Sequence, residues 1–99
     1  MMSIQITLQA SHKESVQTVA QALESYEARL QASIRRTRRR LAAFEERYGI
    51  STSRFLKEMT AEDLAGGDME YVEWAGEARL LHGLENELRE LKDVRVQLS

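Results

Sequence analysis

The chain has no cysteine and no proline. Without cysteine there is no disulfide, no thiolate metal site and no cysteine nucleophile, and such usage fits a reducing compartment. Without proline no residue lacks the amide that a helix hydrogen bond needs. Aromatic residues make up only 6% of the 99 residues, and there are 5 glycines. No apolar run is long enough for a bilayer, and no charged, apolar and small-residue leader opens the chain. It therefore reads as soluble and cytoplasmic, with no membrane partner. What the sequence has in quantity is charge, 30% of its residues. Its length suits one domain or one protomer of an assembly.

The net charge of −2 hides an uneven distribution. Residues 1–54 carry nine bases against five acids, a balance of +4, and residues 55–99 carry five against eleven, a balance of −6. A basic half and an acidic half attract, within one chain or between two.

Hydrophobic periodicity organises the chain into an all-α, elongated, antiparallel helical hairpin with a short helix at the bend. Residues 1–10 alternate at Ile4, Ile6 and Leu8, which suits a short strand that pairs with another chain, or a frayed arm. A long helix is expected over 11–48. Ser11 and Glu14 have the capping-box spacing, and Gly49 supplies the left-handed stop. Its seam, Val16, Val19, Leu23, Tyr26, Leu30, then Ile34, Thr37, Leu41 and Phe44, steps by threes and fours as a coiled coil does. Such a rod of roughly 55 Å is too long for a compact domain of this size to wrap. It must pack along a partner helix, in its own chain or in a dimer. Residues 49–67 hold a short helix capped by Ser51 or Ser53, with a further turn capped by Thr60. A last helix is expected over 68–95, capped by Asp68, with Tyr71, Trp74, Ala78, Leu81 and Leu84 on its seam.

Catalysis finds no constellation. His12 and His82 lack metal-ligand spacing. His82 with Glu85 reverses the Glu-x-x-His order that a carboxylate-bridged metal bundle needs. No glycine loop is placed to cradle a phosphate. The chain therefore reads as a non-enzyme, without a metal or other cofactor.

The last helix is apolar on two sides. Tyr71, Trp74, Ala75, Ala78 and Leu81 form one strip, and Val72, Gly76, Leu80 and Gly83 form another. A helix apolar on two sides is buried by more than one neighbour. Gly76 and Gly83 each weaken the helix by about 1 kcal/mol relative to alanine. Seven residues apart, they share a face on which another backbone can approach. Either the short helix around Phe55 covers this second strip, or another protein does.

The run RRTRRR at 35–40 surrounds its helix instead of forming one basic face. Arg38 and Arg40 flank the seam, where a folded-back last helix would bring Glu77, Glu85 and Glu87. Arg35, Arg36 and Arg39 remain outward, with no acid at i±3 or i±4 to neutralise them. They face solvent, an acidic protein partner or nucleic acid. No aromatic nearby can stack a base, which weighs against the last.

Residues 44–91 carry an ordered set of features: Phe44, Glu45, Arg47, Tyr48 and Gly49, then Ser53 and Phe55, then Leu64 and Asp68, then Tyr71, Glu73 and Trp74. This half of the chain resembles TumA-type antitoxins of type II toxin–antitoxin pairs, whose partners are TumE-type ribonuclease toxins. The resemblance implies neutralisation of a cognate toxin by binding, with autoregulation through promoter DNA. The expected partner surface is Phe55, Val72, Trp74, Gly76, Leu80 and Gly83. The chain is expected to be a homo-oligomer, most simply a dimer. The alternatives are a structural homo-oligomeric coiled-coil scaffold and a small DNA-binding regulator.

Overall fold

A computed structural model describes residues 13–98 and shows the expected helical hairpin. The expected strand or arm over 1–10 and the cap at Ser11 lie outside the described residues. Helix α1 spans Lys13–Tyr48 and α2 spans Thr52–Glu58. A single 3-10 turn, Ala61–Asp63, precedes α3, Gly67–Leu98. No strand occurs among the described residues. The rod sets the dimensions, 61 × 22 × 18 Å.

Local chemistry places the boundaries. Gly49 ends α1 at φ 67°, a conformation that glycine adopts without strain, and its amide donates to the Glu45 carbonyl at 2.8 Å. Two free amides at the start of α2 are then satisfied. Ser51 Oγ accepts from Arg54 N at 3.2 Å, and Glu45 Oε2 accepts from Thr52 N at 2.7 Å. Thr60 N donates to Asp63 Oδ2 at 2.8 Å and closes the 3-10 turn. Helix α3 departs from expectation at both ends. It begins at Gly67, with φ 63°, so Asp68 lies inside the first turn instead of capping it. Its carboxylate still favours the positive end of the helix. The helix continues to Leu98 because no glycine or proline after residue 95 stops it.

The helices pack antiparallel along the expected seam. Leu30, Ile34, Thr37 and Leu41 of α1 are buried, as are Trp74 and Leu91 of α3. Thr37 is the polar member, and its Oγ1 donates to the Ser33 carbonyl at 2.9 Å, so its hydroxyl keeps a partner. Ion pairs mark the register on both sides: Arg40–Glu77 at 2.9 Å, Arg38–Glu85 at 2.9 Å, and Glu27 with Arg95 farther along. The first two are the expected pairs. Glu87 does not join them. It is too far along α3 on the Arg40 side and meets Tyr26, whose phenol it holds above its ordinary pKa of 10.0 by hydrogen bonding. With Glu27 opposite Arg95, the end of α3 reaches about the level of residue 24. Val16 and Val19 lie beyond it.

The bend contains an aromatic stack. Phe55 lies on Trp74 with ring centroids 3.9 Å apart and planes within 2°, and Phe44 stacks near the same indole at 5.3 Å. Tyr48 is 5.6 Å from it. Trp74 Nε1 donates to Thr52 Oγ1 at 3.0 Å, so the buried indole keeps a partner. One side chain thus ties all three helices together. Glu70 closes the outside, accepting from Tyr48 Oη at 2.5 Å and pairing with Arg47 at 2.7 Å.

Candidate protein-binding site

The helical repeat of α3 makes two of its sides apolar, and the fold covers only one. Phe55 seats α2 against Tyr71 and Trp74, with Ala75 and Ala78 packed beside them. Val72, Gly76, Leu80 and Gly83 point away from this core, and all four are exposed. Val72 keeps 66% of its surface in solvent and Leu80 keeps 47%. Met69 extends the same face by one turn and is 74% exposed. Its place three residues before Val72 is visible in the sequence, and it belongs with the strip.

A side chain added at Gly76 or Gly83 would meet nothing within 4 Å. Neither glycine is required by packing inside the hairpin, and neither has a positive φ. The strip is therefore a low, apolar surface along which a second backbone can approach α3 closely.

Two residues expected on this surface belong elsewhere. Phe55 and Trp74 are 0% exposed and form the centre of the core. Their stacking consumes the faces a partner would need, and any direct contact would require opening the bend. The structural roles of the motif residues follow the same line. Gly49 ends α1, Glu45 caps α2, Arg47 and Tyr48 hold Glu70, and Leu64 is buried. These residues build the bend.

The outward arginines fan across the back of α1. Arg35, Arg36 and Arg39 are exposed, and none forms an ion pair among the described residues. Arg36 donates to Ser33 Oγ at 3.1 Å. Among the described residues no group of three or more acidic or histidine side chains is placed to hold a metal. No described helix is long and apolar enough to cross a membrane.

No protein-family model matches the chain, and neither curated proteins nor solved structures provide a match.

Proposed function

We propose that this chain is a protein-binding inhibitor of the antitoxin kind, which neutralises a cognate ribonuclease toxin by covering it. The observation that carries the reading is the exposed strip on α3, where Met69, Val72 and Leu80 surround two glycines open to solvent. The resemblance of residues 44–91 supplies the identity of the partner, and a cytoplasmic location follows from that role.

The strip also sets a bound. Burying the exposed parts of three such side chains yields about 1–2 kcal/mol each. Association costs roughly 4–15 kcal/mol before any affinity appears. The strip can place a partner, but a stable complex needs further surface. Arg35, Arg36 and Arg39 contribute steering toward an acidic partner, or toward promoter DNA in an autoregulating complex. The exposed strip also suits the same face of a second copy, so the proposal includes a homo-oligomer. That same observation favours the second reading, a homo-oligomeric coiled-coil scaffold.

Co-expression separates the two readings. The chain is expressed with the product of the neighbouring open reading frame, and growth is measured. Rescue is expected, and Leu80→Asp should abolish it while circular dichroism of the isolated chain stays unchanged. A chain that leaves growth arrest intact is no antitoxin, and the scaffold reading then stands.

A further inference from the structure

The side of the hairpin that carries α2 holds a second feature, apart from the strip. Two open grooves lie end to end along it. The first, about 830 Å³, is lined mainly by Leu41, Leu56, Tyr71, Ala75, Ala78 and Leu81, with Glu45, Arg79 and His82 also along it. The second, about 310 Å³, runs over Ile34 and Leu88 between Arg35, Arg38, Arg89 and Lys92. Arg38 and Glu85 line both, so their 2.9 Å ion pair forms the saddle between them. The surface changes character along one line, apolar beside α2 and cationic toward the middle of the hairpin.

The cationic end sets four cations against one carboxylate among the described residues. Among the described residues Glu85 is the only carboxylate lining the second groove, and its Oε2 is taken by Arg38. Arg89 reaches the side-chain carbonyl of Asn86, a neutral partner. Arg35, Arg89 and Lys92 form no ion pair among the described residues. Helix geometry adds to this, because no acid lies at i±3 or i±4 from Arg35 or Lys92. Arg89 has Glu85 and Asp93 at i±4 but pairs with neither, so three like charges face one channel with no ion pair of their own among the described residues.

We infer that the two grooves together seat one segment of a protein partner, apolar at one end and rich in carboxylates at the other. This deepens the proposed partner binding and rests on that reading. Planar guanidinium forks match carboxylates in two-pronged fashion, and the neighbouring apolar groove takes the uncharged end. From the level of Glu45 to that of Gln31 the grooves follow α1 for about 21 Å. A polynucleotide fits less well. Its charge continues along its whole length, whereas the first groove is mostly apolar and the Arg79 that lines it shares it with Glu45 and Glu85. The cationic groove also has no aromatic ring on which a base could stack.

The test uses the full chain and a labelled peptide of about 14 residues, the length a helix needs to span the grooves. Leucines and alanines fill its first half and glutamates its second. Fluorescence anisotropy should show it binding at least tenfold more tightly than a scrambled peptide of the same composition. Arg35→Gln combined with Lys92→Gln should weaken it about tenfold and flatten its salt dependence. Leu56→Asp should weaken it with the salt dependence retained. All three positions are exposed, and circular dichroism verifies that each variant is folded. The inference is overturned if the block peptide fails to bind, if the scrambled peptide binds equally well, or if the double variant binds unchanged. It is also overturned if an oligothymidylate of equal charge binds more tightly. Leu80→Asp lies off the grooves and should leave peptide binding intact. Peptide binding without toxin rescue removes the antitoxin reading alone, and rescue without peptide discrimination removes the groove alone.

Discussion

Replacing Gly76 and Gly83 together by alanine should make the isolated protein more stable. Both positions lie inside α3, both have ordinary negative φ, and a new Cβ meets nothing within 4 Å at either. Alanine therefore adds no clash and removes only the backbone freedom glycine has in the unfolded chain. Each change contributes about 0.8–1.0 kcal/mol in a helix interior. Two full turns apart, they share no contact inside the hairpin and should add to about 2 kcal/mol. For a chain of this size that raises Tm by roughly 8–16 °C. Denaturant unfolding followed by circular dichroism gives the number directly, at concentrations where sedimentation shows a monomer. The midpoint should rise with the slope unchanged. The same double variant should neutralise its toxin less well, since two methyl groups now stand where a partner backbone approaches. A loss of stability in the free protein would refute the reasoning, because the glycines would then be packed within the fold.

Three further outcomes follow from the core and from Tyr26. Trp74→Ala removes the ring that joins the helices and leaves Thr52 Oγ1 without its donor, so a loss of about 3–5 kcal/mol is expected by chemical denaturation. A loss under 1 kcal/mol would mean that the stack does not hold the bend. Thr37→Val keeps the branched shape at a position 2% exposed and replaces a hydroxyl that only back-bonds to Ser33. It should stabilise by up to about 1 kcal/mol in the same assay, and a loss of that size would contradict the seam assignment. The Tyr26 phenol is held above 10.0 by Glu87, so its contribution is complete below that pH and is lost as pH rises through the elevated folded-state value. Melting temperature should therefore fall more steeply above pH 10 in the native chain than in Tyr26→Phe, and parallel curves would show that the hydrogen bond adds nothing to stability.

Much of the fold is written in local pattern. The seam from Leu30 to Leu41, the stop at Gly49 and the cap at Ser51 depend on side chains within a few residues of one another, and each is legible in the chain. The pairing of Arg38 and Arg40 with Glu85 and Glu77 was readable for a related reason. Once the hairpin folds back, the helical repeat decides which charges flank the seam. Glu87 meets Tyr26 because distance along α3, as well as direction around it, decides its neighbour. Asp68 does not cap α3, because the glycine before it already begins the helix. Arg89 and Lys92 went unmarked because nothing on α3 alone distinguishes them. Only their position across from Arg35 and Arg38 makes a cationic channel.

The two glycines and two apolar sides of α3 are properties of its sequence, and so is the unpaired charge at Arg35, Arg36 and Arg39. Which apolar side becomes core is a property of the tertiary structure. Periodicity shows that both sides can be buried, but the choice depends on where α2 lands. That is settled by the short connections on either side of α2 and by Phe55 stacking on Trp74, residues far apart along the chain. The stack removes Phe55 and Trp74 from any surface and leaves Met69, Val72 and Leu80 exposed.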